Sequence, residues 1–271
     1  MIKSKKYLKK QKLNSSGFVI LSIGFALLVW FLVTRWGDLP AFILPSPMQV
    51  FNRFWISIFD GSLLRHSSYT LLEVALGLTI GSILATLTGY LLAKSPALER
   101  LISPYLVASQ AIPVVAIAPL LVIWFGPGLF SKVLIAALIV FFPVLVNTVV
   151  GVRAVSKDYY DLMRSLRASR WQVLKYLEIP AALPVFFGGL RVGATLSVIG
   201  AVVGEFVGAD RGLGFLINVG RGQYDTALVF VAIFALVLLA LILYGLVILL
   251  ERRFLAWQHS PQKDTLVEIL E

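Results

Sequence analysis

Residues 227–250, ALVFVAIFALVLLALILYGLVILL, carry no charged side chain anywhere along the run. A helix rising about 1.5 Å per residue crosses a hydrocarbon layer of roughly 30 Å in about twenty residues, so this stretch is long enough to span a bilayer. Outward from it, five further apolar segments of near-spanning length stand at about residues 17–34, 68–93, 101–125, 129–151 and 183–207. The six together predict an all-α, polytopic membrane bundle of six transmembrane helices. Composition agrees, with 59% hydrophobic and 14% charged residues, against roughly 25% charged in an ordinary soluble domain.

An even number of spans puts both termini on one side, and lysine and arginine choose the side. The segments facing the same side as the amino terminus hold Lys3, Lys5, Lys6, Lys9, Lys10, Lys12, Lys94, Arg100, Arg153, Lys157, Arg164, Arg167, Arg170, Lys175, Arg252, Arg253 and Lys263. The opposite segments hold only Arg35, Arg53, Arg65, Arg211 and Arg221. The positive-inside rule therefore predicts a multi-pass plasma (inner) membrane protein with both termini cytoplasmic. Residues 1–16 read as a basic cytoplasmic tail, 17–255 as the transmembrane domain and 256–271 as a second cytoplasmic tail. The lysine-rich start resembles a signal peptide, but the following run is long enough to span and no small-residue cleavage pattern follows it, so it reads as a retained first helix. The formal charge of +10 resides in connecting segments rather than on one face, which argues against nucleic acid. There is no cysteine, which removes disulfides, thiol catalysis and thiolate metal sites. His66 and His259 lack metal-ligand or triad spacing, so no metal site or catalytic group is expected. The six tryptophans suit interface anchoring.

The third segment contains Pro104, Pro113 and Pro119. Proline removes a backbone donor and clashes with the preceding turn; either a kinked packing helix or the wall of a water-filled pathway accommodates it. Ser109, Gln110, Pro113 and Pro119 are the candidate pathway liners. In the external connection 35–67, Ser46 is placed to cap a helix beginning at Pro47, with Val50, Phe51, Phe54 and Ile58 at helical spacing along the outer interface. Small residues recur every fourth position at Gly77, Gly81, Ala85 and Gly89, at Gly189, Gly193, Ser197 and Ala201, and at Gly200, Gly204 and Gly208. Such rows allow close backbone approach, within the bundle or at a subunit interface. Gly193, Ser197 and Glu205 are accordingly candidates for a gate or subunit interface. Intramembrane charges are expensive; Arg191 either snorkels from the inner end of its helix or meets substrate.

The loop 152–182 is the most specific part of the chain. Tyr159, Leu162, Met163 and Leu166 fall at helical spacing while Lys157, Arg164 and Arg167 take other faces, which makes a short amphipathic helix with Asp161 near its positive end. Ser169 and Gln172 have capping-box spacing, opening a second helix expected to end at Pro180. From the physics alone, such helices either lie on anionic lipid or form a knob for another protein.

Here the residues match a family pattern. Asp161-Leu162-Met163-Arg164-Ser165-Leu166-Arg167, nine further residues and then Leu177-Glu178-Ile179-Pro180 resemble the cytoplasmic loop of permease subunits of binding-protein-dependent ABC importers. Ala168-Ser169-Arg170-Trp171-Gln172-Val173, Pro180-Ala181-Ala182-Leu183-Pro184, Leu44-Pro45-Ser46-Pro47, Ala111-Ile112-Pro113, Ala118-Pro119-Leu120-Leu121, Trp124-Phe125-Gly126 and Phe141-Phe142-Pro143 look like its nitrate, sulfonate and taurine branch. Close relatives in that branch handle pyrimidine precursors or riboflavin. The resemblance runs from about residue 40 to 255. Departures are Asp161 for the usual glutamate, Leu162 and Met163 for alanines, Arg167 for glycine, and Glu73 where the branch often has a basic residue.

The resemblance implies a homodimer of permeases docked on two ATP-binding subunits, with an external solute-binding protein, membrane lipid around the spans, and ATP and Mg held by the partner ATPase. It also implies a cytoplasmic coupling-helix loop contacting that ATPase through Asp161, Leu162, Met163, Leu166 and Arg167. No G-x-x-x-x-G-K-[ST] loop is present, so the chain reads as a transport subunit without a motor or cofactor of its own. The expected cargo is a small solute: a sulfonate- or nitrate-like anion, or an aromatic vitamin or precursor. The main rival, an ion-gradient-driven secondary transporter, favours an inverted repeat and buried coupling acids; no convincing repeat is visible and acids are few. A membrane enzyme would show clustered His, Asp or Glu, which are absent.

Overall fold

The computed structural model describes residues 18, 21–37 and 40–259. The expected tail 1–16 and residues 260–271 of the second tail lie outside them. The described residues form two compact units, one made of residues up to Leu64 with Leu216–Phe234, the other of Arg65–Phe215 with Ala235 onward.

In the first unit, the described part of the apolar helix α1 runs over Leu21–Trp36. Its Trp30 donates its indole N–H to the Pro45 carbonyl (3.1 Å) and stacks on Phe230 at 5.3 Å. Helix α2 (Pro47–Phe59) begins as its sequence predicts: Ser46 and Gln49 form a reciprocal capping box and Pro47 fills the first turn. Arg53 pairs with Asp225 at 2.7 Å, and Leu216, Leu228 and Ala232 form the small apolar core.

The second unit is built around α6 (Leu129–Arg153), flanked by α3 (Ser62–Lys94) and α9 (Ile179–Gly208). The small-residue rows explain how closely they approach. A β-carbon at Gly81 would stand 2.7 Å from the Ala137 carbonyl oxygen, and one at Gly200 would stand 2.6 Å from Ala136 Cα. The rows on α3 and α9 therefore pack inside the chain against the same helix, both meeting Ala136, and Gly193 and Ser197 are buried.

Among the described residues, four helices are long and apolar enough to cross a membrane: α3, α6, α11 (Thr226–Phe254) and the continuous stretch Arg170–Gly208. A further apolar pair, α4 (Pro96–Gln110) and α5 (Val114–Phe125), is bent by 94°, the geometry of a broken span or a re-entrant loop. The third segment is thus no straight span over 101–125. Pro113 takes an extended conformation ahead of α5, while the Ile112 N–H closes back on the Ser109 carbonyl (3.3 Å). Pro104 and Pro119 are absorbed within α4 and α5. Between α9 and α11 lies the short α10 (Leu213–Gly222).

Candidate functional site

The loop after α6 folds as α7 (Lys157–Ser165), capped at Ser156, with Asp158 in its first turn and Arg164 in its last, each matching the helix dipole. None of its residues is buried. Tyr160 and Met163 turn partly inward, whereas Asp161, Leu162, Leu166 and Arg167 are exposed. Leu162 and Leu166 leave 54% and 68% of their surface open, an unusual outlay of apolar area for a helix with so polar a composition. Asp161 and Arg164 pair at 3.0 Å in full solvent, an interaction contributing only a few tenths of a kcal/mol.

Helix α7 ends in a turn that normally favours glycine. Arg167 adopts φ 53, its N–H donates to the Arg164 carbonyl (2.9 Å), and the Ala168 N–H donates to the Met163 carbonyl (2.9 Å). This is the double hydrogen-bonded helix stop in which the residue after the cap is left-handed. The arginine at 167 therefore keeps the turn that a glycine would make, with the steric cost of a β-carbon in that region.

Ser169 and Gln172 form the expected capping box at the start of α8 (Arg170–Val173). The helical run does not stop at Pro180, however. A five-residue π turn (Leu174–Glu178) follows, with the Ile179 N–H reaching the Leu174 carbonyl, and α9 continues through Pro180 in its first turn. The wider turn shifts the hydrogen-bond register just where proline has no donor to give.

The π turn presents Glu178, which is 2% exposed. It accepts a hydrogen bond from the Tyr90 hydroxyl (3.0 Å) and pairs with Lys94, both on α3. The Lys94 ammonium also lies over the rings of Tyr90 (5.7 Å) and Tyr160 of α7 (5.2 Å). Burial pushes the Tyr160 phenol above its ordinary pKa. One buried carboxylate thus joins α3, the π turn and α7, beside a cavity of about 380 Å³ lined by Thr86, Tyr90, Leu174, Ile179 and Phe186 among others. The motif Leu177-Glu178-Ile179-Pro180 marked the place; the acid flanked by apolar residues was the signal for the anchor. Nearby, Arg153 holds Glu99 (2.6 Å), and Arg191 pairs with Glu251 of α11. Arg191 is therefore neutralised by a neighbouring helix rather than left to snorkel alone.

At the opposite end of α3, about 30 Å along the helix, Glu73 lies 3.3 Å from Lys132 of α6. Glu205 accepts from the Thr70 hydroxyl (2.6 Å) and the Gly214 N–H (2.5 Å). Glu205 itself is 1% exposed, held between α3 and the turn after α9. Gly193 and Ser197, the other candidates for a gate or subunit interface, are buried too, Gly193 against Val140 and Val144 of α6. Ser109, Gln110 and Pro113 meet at the corner of the 94° bend and Pro119 follows on α5. Gln110, Pro113 and Pro119 are exposed, while the half-buried Ser109 hydroxyl donates to the Leu106 carbonyl (2.8 Å).

The family of binding-protein-dependent transport system inner membrane components matches residues 77–256. The riboflavin transport system permease protein RibX of Chloroflexus aurantiacus is 50% identical over 82% of each chain. The formylaminopyrimidine transport permease protein ThiX of Halalkalibacterium halodurans is 37% identical over 86% of this chain and 93% of that one. The taurine transport system permease protein TauC of Escherichia coli is 31% identical, covering 90% and 92%. Among solved structures, an inward-facing MetNI methionine ABC transporter chain matches 72% of this chain and 97% of its own, with TM-score 0.63 and 18% identity. That likeness is one of fold.

Proposed function

The chain belongs to the family of binding-protein-dependent transport system inner membrane components, and we propose that it works as one half of a permease homodimer driven by two separate ATP-binding subunits. It is a multi-pass ABC importer permease of the inner membrane. The observation that carries the proposal is α7: a helix with no buried residue, showing Leu162 and Leu166 to solvent, inserted between two membrane helices. Exposed apolar side chains on a polar helix suit a groove in a partner protein. The Glu178–Lys94–Tyr160 node supports the same reading, because a push on α7 reaches α3 and α9 through buried, hydrogen-bonded contacts.

Asp161, Leu162, Leu166 and Arg167 form the proposed ATPase contact, with Met163 packing beneath them. Both termini lie in the cytoplasm on this reading, an external binding protein delivers the solute, and ATP and Mg stay on the partner. The exposed Gln110, Pro113 and Pro119 and the half-buried Ser109 line the pathway at the break.

For cargo, we favour a riboflavin-like aromatic heterocycle over a small oxyanion. The identity to the riboflavin permease is the first support. The second is electrostatic: Lys132 in the first turn of α6 and Arg191 within α9 each face a carboxylate, so neither offers a free charge to an anion.

The test is uptake into proteoliposomes holding the permease, its ATPase and its binding protein. Leu162→Glu and Leu166→Glu are expected to leave the melting temperature unchanged and to lower ATP-driven uptake at least about tenfold, a loss of about 1.4 kcal/mol in docking. Full uptake by both variants, or uptake by wild type without ATP, overturns the reading. Riboflavin competing no better than taurine overturns the cargo assignment alone.

A further inference from the structure

The polar cluster at the far end of α3 is not used by the coupling route, and its charges do not balance. Glu73, Lys132 and Glu205 are 2%, 3% and 1% exposed. Two carboxylates and one ammonium leave a surplus negative charge in a space closed to water, a costly arrangement unless something positive joins them. Glu73 stands one turn along α3 from Thr70, which holds Glu205, so the two carboxyl groups share this closed space. Two ionised acids cannot hydrogen bond to each other, and like charges so close do not both stay ionised. One atom records the gap: Glu73 Oε2 is buried without a hydrogen-bond partner. Its other oxygen is the one that faces Lys132, at 3.3 Å.

The polar groups beside it among the described residues have partners of their own. Thr70 Oγ1 donates to Glu205 and accepts from the Leu213 N–H (2.8 Å). His66 Nδ1 accepts from the Gly212 N–H (3.0 Å), so it offers no proton from that nitrogen, and its ring lies 5.5 Å from Phe215. Asp210 and Arg211 at the exposed turn pair with each other (3.1 Å), and Arg211 also donates to the Tyr69 hydroxyl (2.7 Å). Gly212 has φ +105, and the Glu205 carboxylate occupies the place a β-carbon would take, so the turn after α9 is moulded around this acid.

We infer that Glu73 and Glu205 form a single-proton binding site, in which one proton held between the two carboxyl groups is the ligand that fastens the turn after α9 to α3. With the proton bound, Glu73 Oε2 gains its missing partner and the cluster is neutral: one ammonium, one carboxylate, one carboxylic acid. Without it, Glu205 is repelled by Glu73 while still holding Thr70 and Gly214, and the turn loosens. The site stands independently of the transport reading.

The test is infrared spectroscopy on the full chain in lipid nanodiscs with glutamate carboxyl groups labelled by carbon-13, titrated from acid to alkaline pH. Exposed glutamates lose their proton near pH 4.3, so a labelled carboxylic-acid band persisting at neutral pH reports a buried acid. The expected result is such a band in wild type, lost only on the alkaline side, absent from Glu73→Gln and retained in Glu178→Gln. The wild-type melting temperature should fall as pH rises from about 4.3, where an unfolded glutamate ionises, to the pH at which the band is lost, and level off beyond it, and that of Glu73→Gln should not show this fall. No band at neutral pH in wild type overturns the proposal, as does a band that survives Glu73→Gln. A melting temperature that follows sodium replaced by choline at fixed pH, without the band, assigns the site to a metal cation and also overturns it. If Glu73→Gln does not fold, loss of the band in Glu178→Gln is the overturning result, since that places the proton elsewhere.

Discussion

Arg167 shows how a single residue can depart from a family pattern while the backbone does not. The left-handed turn that ends α7 is closed by two hydrogen bonds from the Arg167 and Ala168 amides, and these outweigh the roughly 1–2 kcal/mol a β-carbon costs there. Arg167→Gly should therefore raise thermal stability by up to about 1 kcal/mol, and Arg167→Val should lower it by a similar amount, because branching at the β-carbon worsens the same clash. A melting curve of the permease decides; equal melting of all three would show that the turn is not left-handed in solution. Glu178 is the residue to lose at greater cost. Glu178→Leu leaves the Lys94 ammonium and the Tyr90 hydroxyl unpaired in a partly buried space, and we expect a loss of about 1–3 kcal/mol. Lys94 is 38% exposed and can recover some water, which keeps the figure below that of a fully buried pair.

At the scale of elements, helix packing is written in the small-residue rows, and the structure says which partner each row meets. Gly81 and Gly200 face backbone atoms of α6, which cannot rotate away. Gly81→Leu and Gly200→Val should each cost at least about 1–3 kcal/mol through forced separation of the helices, visible as lower yield and melting temperature. Gly245 on α11 has nothing within 4 Å of its missing β-carbon, so Gly245→Ala should be neutral or gain about 0.5–1 kcal/mol. The reverse order would remove the close approach of α3 and α9 to α6. The α4–α5 break belongs to this scale too. Three prolines announced an interruption, yet only Pro113 stops the helix, since there the chain leaves helical geometry ahead of α5, whereas Pro104 and Pro119 sit inside helices that hold their course.

At the scale of the whole molecule, the wild-type chain has no cysteine, so single cysteines report sidedness directly. In intact cells a cysteine at Tyr159 should resist a membrane-impermeant maleimide and one at Ser46 should react, as the distribution of lysine and arginine requires; the opposite labelling would invert the topology and remove α7 from any cytoplasmic ATPase. Membrane location, the apolar segments, an amphipathic helix at about 158–167 and the family were all legible in the sequence, because they rest on local composition, period and motif, which neighbours in the chain determine. The partners of the buried charges were not. Glu73 meets Lys132, Glu178 meets Lys94, Arg191 meets Glu251 and Glu205 meets Thr70 across 59, 84, 60 and 135 residues. Such pairings depend on which helix faces are brought together and at what depth. That is set by packing summed over all the spans, and only the folded bundle decides it.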